Sequence, residues 1–354
     1  MRKIYNYIRA LLRAQSPNNL FHLIFFITAR CNARCKFCFY LDQIEAANKN
    51  LHKELTLSEI DKIFNSMGYI PYISLSGGEP FLRKDFTEMV DIIVRNSNPL
   101  VVSIPTNGAY TDRIFESMSI LTKKFKNTQF DIQLSLDAPE EIHDEVRQVP
   151  GLFKKMIETN KKISELRKIA NNLGIKIVIT YSEFNQNNVE ELISYIEKDL
   201  IFDRLILSKV HGNSAGKENL NYEKFNQLLK RVNSINTKDI TKRGFTNKIS
   251  LKVKNAKEKI RSNLELDKNL GKYCNVGKKL LVMSEQGDIY PCEVLSKKIG
   301  NVKEVNFNLK LLLKEKASNY IQKENIKNCH CDWGCAQNIA IVTNKKFLSK
   351  IILD

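Results

Sequence analysis

Three thiols stand within eight residues of one another: Cys31, Cys35 and Cys38 form a CxxxCxxC group. The chain then runs 235 residues without a cysteine before Cys274, Cys292, Cys329, Cys331 and Cys335. Soft thiolates select zinc or iron–sulfur clusters. Three of them on one short loop can hold three corners of a cubane and leave the fourth iron open. An open coordination position is the mark of a reactive site, whereas a structural site is closed. Half a zinc site and three ordinary core cysteines are the alternatives. The five later cysteines imply a second, separate metal site.

The elements that position these thiols follow from hydrophobic periodicity. Apolar, β-rich stretches at 23–27, 72–76, 100–104, 130–136, 175–180 and 204–208 alternate with helical patterns near 56–67, 85–96, 111–125, 151–171 and 188–199. Thr56-x-x-Glu59 is a capping box that starts one of these helices. Six strands alternating with helices predict a parallel sheet with right-handed crossovers. Such folds place their chemistry at the C-terminal ends of the strands. A dinucleotide-binding sheet would fit the same pattern, but no GxGxxG follows the first strand.

The stretch Phe26-Ile27-Thr28-Ala29-Arg30-Cys31-Asn32-Ala33-Arg34-Cys35-Lys36-Phe37-Cys38 resembles the cluster-binding loop of the radical S-adenosylmethionine (SAM) superfamily. Ser76-Gly77-Gly78-Glu79-Pro80 is similar to that family's GGE motif and Thr106-Asn107-Gly108 to its TNG turn. Ser135-Leu136-Asp137-Ala138 and His143-Asp144-Glu145-Val146-Arg147 are similar to its fourth-strand segment and to the arginine-bearing stretch that follows. The resemblance implies an α/β fold, a partial (β/α)6 TIM barrel. It implies that Cys31, Cys35 and Cys38 bind a 4Fe-4S cluster that chelates SAM. Reductive cleavage of SAM then yields a 5′-deoxyadenosyl radical that abstracts a substrate hydrogen, which is oxidoreductase chemistry. Gly77 and Gly78 would let backbone approach the methionine moiety, and Glu79 would take its ammonium. Ser135 and Asp137 would face the ribose, Arg147 the methionine carboxylate and Phe37 the adenine. Asn107 is either a ligand or a turn residue. Thr180, Tyr181 and Asn185 after strand five, and His211 after strand six, are similarly placed, with Tyr181 and His211 the substrate-site candidates.

Cys274 and the segment Gly287-Asp288-Ile289-Tyr290-Pro291-Cys292 resemble the hairpin of the SPASM and twitch extensions of radical SAM enzymes, which bind auxiliary iron–sulfur clusters. Five cysteines suffice for one four-ligand cluster, and spacing does not choose among Cys329, Cys331 and Cys335. A zinc knuckle on two hairpin-like loops is the structural alternative. The expected division is therefore a basic N-terminal helix over 1–22, the barrel over 23–212, a basic connector over 213–272 and a small SPASM/twitch-like domain over 273–354.

The 354 residues carry a formal charge of +17. Seven basic residues and no acidic one lie in 1–41, and twelve basic against three acidic residues lie in 241–279, so the remainder is nearly neutral. The second run has few aromatics and lacks the stacking platform of single-strand binders, so no nucleic-acid partner is expected. Ile4, Tyr5, Ile8, Leu11 and Leu12 recur at helical spacing beside Arg2, Lys3, Arg9 and Arg13, a basic amphipathic helix that can lie on an anionic membrane or cover the bottom of the barrel. The longest apolar runs are far shorter than the roughly 20 residues of a membrane span, and the arginines interrupt any signal-peptide core. The cytoplasm is the expected location, where thiols stay reduced. The sequence points to net oxidation of a small-molecule, sugar or carrier-bound metabolite, with flavodoxin or ferredoxin as one-electron reductant. Peptide maturation is the alternative, weighed down by the brevity of the segment before Cys31. A nucleic-acid-binding or membrane-binding protein with structural metal sites is the reading from a different class.

Overall fold

A computed structural model describes residues 2–16, 19–49, 53–210, 214–241, 273–293, 297–317, 331 and 333–347. His211, Cys329 and residues 242–272 of the expected connector lie outside them. After α1 (Arg2–Gln15) come β1 (His22–Thr28), α2 (Leu41–Asn48), α3 (Leu57–Met67), β2 (Tyr72–Gly77) and α4 (Phe86–Ser97). Then follow β3 (Val101–Thr106), α5 (Thr111–Lys124), β4 (Gln129–Ser135), α6 (Glu140–Arg147), α7 (Leu152–Ile169), β5 (Leu173–Tyr181), α8 (Val189–Asp199), β6 (Arg204–Lys209) and α9 (Tyr222–Thr241). The Thr56 capping box is present, with the Glu59 amide donating to Thr56 Oγ1 and the Thr56 amide donating to Glu59 Oε2.

Strands β1 to β6 pair in chain order and in parallel. Beyond β1 the sheet continues: β7 (Leu280–Met283) runs parallel beside it, and β8 (Asp288–Tyr290) and β9 (Gly300–Asn301) add antiparallel. The order β6-β5-β4-β3-β2-β1-β7-β8-β9 leaves the sheet open rather than closed into a barrel. The C-terminal cysteine-rich region therefore shares the sheet of the first unit. Sequence periodicity did not reveal this, because β7 is short and apolar on both faces. Two short helices, α10 (Leu309–Leu312) and α11 (Gly334–Thr343), complete the described chain.

The period of two along each strand divides the molecule into two cores. Leu23, Phe25 and Ile27 of β1 join Ile73, Val102, Ile132, Ile177 and Leu205 in the large core against the helices. Ile24 and Phe26 point to the other face, into a second core with Val276, Leu280, Val282, Trp333, Ala336 and Ile339. All seven residues of β1 are buried for this reason. Among the described residues no helix is long and apolar enough to cross a membrane.

Candidate active site

The CxxxCxxC loop leaves β1 at Thr28 and is clamped from two sides. On one side the Gly78 amide donates to Thr28 O (2.8 Å) and the Glu79 amide to Arg30 O (2.9 Å). On the other the Arg34 and Lys36 amides donate to Arg147 O (3.1 Å) and Val146 O (2.9 Å) at the end of α6. A Cβ at Gly77 would stand 2.3 Å from Thr28 O, and one at Gly78 would stand 2.2 Å from Arg30 O. The glycines thus make room for the thiol loop's own backbone. The sequence reading had assigned that room to the methionine moiety. Gly77 also holds a φ of +111°, which only glycine adopts without strain.

Cys31, Cys35 and Cys38 line one cavity of about 220 Å³ together with Phe37, Ser76, Gly77, Gly78, Glu79, Thr106, Asn107, Ser135, Arg147 and Thr180. Burial pushes the Cys31 thiol up to about 12 and the Cys38 thiol up to about 11, and raises Cys35. Neutral thiols are the resting form there, and a bound cation is what converts such groups to thiolates. Glu79 is buried, and its Oε1 accepts from Thr106 Oγ1 (2.8 Å) and the Phe81 amide (3.2 Å) while Oε2 accepts from the Asn107 amide (2.8 Å). Burial raises its pKa and these donors oppose the rise. Three partners leave a carboxylate with acceptor capacity toward the cavity, where an ammonium fits. Asn107 is a turn residue whose Nδ2 donates to Asn32 Oδ1 (2.8 Å), bracing the thiol loop from a third side.

Arg147 supplies the opposite charge. Burial works against its cation, but the Asp137 carboxylate beside it holds it firmly protonated. Its Nε and Nη2 both lie 2.7 Å from Asp137 Oδ2. Asp137 Oδ1 accepts from the Thr180 amide (2.8 Å), and the Asp137 amide donates to His143 Nδ1 (3.2 Å). Fully buried, Asp137 stands behind Arg147 as its positioning partner and does not line the cavity assigned to it from the sequence. Asn185 is likewise a brace, donating from Nδ2 to Asp137 O and Thr180 O, each at 2.8 Å. Tyr181 is fully buried against Phe225, and its hydroxyl donates to Asn221 O (3.0 Å), so it is a packed wall.

Sequence reasoning missed three features. Ser76, Thr106, Val210 and Ser214 line the cavity, and strand alternation extends that face downward through Ser74, Ser103, Asp131 and Lys176 as a polar floor. Asp131 Oδ2 and Lys176 Nζ form an ion pair there at 2.6 Å. Glu54 ties the loop entrance, accepting from Thr28 Oγ1 and from Arg30 Nε (3.1 Å) and Nη2 (2.9 Å). Beside it the buried Arg83 donates to Ile27 O (2.7 Å) and Leu55 O (2.6 Å). Nothing in the spacing of Glu54 and Arg83 announces this network.

The second cysteine group packs onto the same core as the first. Cys292 is buried with Phe26, Tyr40 and Trp333, and Cys274, Cys331 and Cys335 pack against them beside Cys31 and Cys38. Burial pushes Cys335 up to about 12. Tyr40 donates to Glu285 Oε2 (2.5 Å), pinning the β7–β8 turn to the segment just after Cys38. Among the described residues no three His, Cys, Asp or Glu side chains converge tightly enough for a single metal ion. Tetrahedral zinc would draw its sulfurs to within about 4 Å of one another.

Residues 25–196 match the Radical SAM superfamily. The chain carries a radical SAM domain. The cysteine-type anaerobic sulfatase-maturating enzyme of Clostridium novyi (strain NT) is 25% identical over 348 residues, covering 88% of this chain and 86% of that protein. The sporulation killing factor maturation protein SkfB of Bacillus subtilis (strain 168) is 28% identical over 170 residues, 47% of this chain and 37% of that one. Of solved structures, SuiB of Streptococcus suis bound to precursor peptide SuiA superposes with a TM-score of 0.59 at 17% identity, covering 96% of this chain and 77% of that chain. The anSMEcpe structure with bound AdoMet superposes with a TM-score of 0.58 at 18% identity, covering 94% and 97%. The likeness of fold to these two structures thus covers nearly the whole chain. Radical SAM enzymes use a 4Fe-4S cluster and SAM, and the donors around this cavity fit both: three thiols, one carboxylate and one guanidinium.

Proposed function

We propose that this radical SAM enzyme abstracts hydrogen from a peptide or protein substrate and leaves it oxidised, the remaining electron of the substrate radical passing to a second iron–sulfur cluster on the later cysteines. The observation that carries the chemistry is the convergence of Cys31, Cys35 and Cys38 with Glu79 and Arg147 on one cavity. In this reading the three thiols hold a 4Fe-4S cluster, Glu79 takes the SAM ammonium, and Arg147 takes its carboxylate as a guanidinium fork does. Phe37, buried against Val146 and Val210, offers its ring to the adenine. Held by Cys31, Cys35 and Cys38, such a cluster would supply one-electron reduction of SAM, the chemistry that removes a substrate hydrogen. The chain's own contribution is position and exclusion of water: Asp137 fixes Arg147, Asn107 and the Gly77-Gly78 contact fix the loop, and Phe37 walls the site.

The peptide reading is supported by the likeness to a sulfatase-maturating enzyme over 88% of this chain and 86% of that protein. In this reading a peptide or protein is preferred to the small-molecule or carrier-bound substrate expected from the sequence. Cys274, Cys292, Cys331 and Cys335 are the ligands proposed for an auxiliary 4Fe-4S cluster, and a small ferredoxin or flavodoxin is the proposed reductant. Anaerobic reconstitution tests the cofactors: about eight irons per chain supports two clusters, and about four with one zinc supports the knuckle. The substrate class is tested by supplying SAM, dithionite and either a perdeuterated peptide pool or a perdeuterated small-metabolite pool. Deuterium in 5′-deoxyadenosine from the peptide pool alone supports the proposal, and deuterium from the metabolite pool alone overturns it.

A further inference from the structure

We propose that the outward face of α1 docks on an anionic membrane surface. A helix on a folded protein ordinarily turns its large apolar side chains inward. Here the order is inverted: α1 packs through Ala10 and Ala14, while Ile8, Leu11 and Leu12 stand 51%, 46% and 68% exposed. The small side chains bring the helix close to the body, and the large ones are left for something else.

Cations lie along the packed side and at the C-terminal end of the helix. The Arg9 guanidinium lies 3.7 Å over the Tyr69 ring and that of Arg13 lies 6.0 Å from it, so both charges are held beside the helix. At the C-terminal end of α1, Lys279 Nζ donates to the carbonyls of Arg13 (3.2 Å), Ser16 and Asn19 (3.1 Å), and the adjacent Lys278 is exposed. Gln15 Nε2 donates to Val342 O (3.2 Å), tying α1 to α11, after which Lys345 and Lys346 are exposed. No acidic residue precedes Asp42.

An exposed apolar stripe in a basic field is the signature of an interfacial helix, in which apolar insertion and attraction to anionic headgroups add. Either term alone would suit other partners. A nucleic acid uses the charges and has no use for Leu12, whereas a second copy uses the apolar stripe and is repelled by the charges. An anionic bilayer uses both. Tyr69 precedes β2, so α1 lies at the N-terminal ends of the strands, while the cavity is built from Gly77, Ser135 and Thr180 at their C-terminal ends. Docking through α1 therefore leaves the mouth of the site open.

Sedimentation of the full chain with vesicles of two parts phosphatidylcholine to one part phosphatidylserine, and with phosphatidylcholine alone, tests the proposal. The wild-type chain is expected to pellet with the mixed vesicles only, and Leu12→Glu to lower that partitioning by about tenfold or more. An unchanged melting temperature shows that Leu12→Glu folds. Failure of the wild type to pellet overturns the proposal. Pelleting that Leu12→Glu does not weaken also overturns it, because the attraction is then to charge alone and a short duplex DNA should bind equally. A wild-type dimer that Leu12→Glu dissolves, without vesicle binding, overturns it in favour of a self-interface.

Discussion

Replacing Gly78 by alanine isolates the contact between β2 and the thiol loop. Gly78 has an ordinary negative φ, so the substitution adds no backbone strain and only the space beside it matters. The new Cβ would meet Arg30 O at 2.2 Å, Arg30 C at 2.7 Å and Ala29 C at 3.2 Å. All three are backbone atoms, so no side chain can swing away, and the two segments must part by about 1 Å to restore van der Waals distance. That separation strains or breaks the hydrogen bonds from Gly78 N to Thr28 O and from Glu79 N to Arg30 O. At about 1 kcal/mol for each bond, with a further penalty for stranding buried groups, the substitution costs about 3 kcal/mol. That is a large share of a typical stability of about 5–15 kcal/mol, and at about 2–4 °C per kcal/mol the melting temperature falls by roughly 6–12 °C. Because the displaced segment carries Cys31, iron retained after reconstitution falls with it. If Gly78→Ala melts with the wild type and retains full iron, the glycine pair does not position the loop and the argument fails.

Three further outcomes follow from the same structure. His22 is buried against Tyr72 with its Nε2 2.9 Å from Ser74 Oγ, and burial lowers its pKa from 6.5 to about 3. The unfolded chain therefore takes up a proton that the native chain refuses. Stability is full above about pH 6.5 and is lost toward pH 3, by on the order of 5 kcal/mol in total, and His22→Gln should flatten that acid limb in urea titrations. Asp137→Asn removes the counter-charge of the buried Arg147; equilibrium dialysis should show SAM affinity at least about tenfold weaker with the fold retained, and unchanged affinity would detach Arg147 from the cofactor. Tyr40→Phe deletes the hydroxyl that donates to Glu285 and should lower stability by about 1–3 kcal/mol; an unaltered melting curve would show that this contact does not hold the β7–β8 turn.

The strands and their order were legible because each obeys a local rule. Leu23, Phe25 and Ile27 alternate with Ile24 and Phe26, and each set finds its own core. The thiol loop was legible because its three thiols lie within eight residues of one another. What escaped the sequence depends on pairs distant in the chain. The seat of β7 beside β1 is set by backbone hydrogen bonds that four apolar residues do not encode by pattern. Glu285 reaches Tyr40 across 245 positions, and Glu54 reaches Thr28 and Arg30 across 26 and 24. Motif spacing singled out Gly77, Gly78, Asn107 and Asp137 without the contacts each makes inside the protein. Each holds a neighbour: the glycines admit the backbone of Thr28 and Arg30, Asn107 holds Asn32, and Asp137 holds Arg147. A motif read from one sequence reports that a residue type is needed at a place. Whether it meets a ligand or the residue that meets the ligand is decided by contacts across the fold, and here most of the polar atoms around the cavity are already engaged in holding the thiols, Glu79 and Arg147 in place.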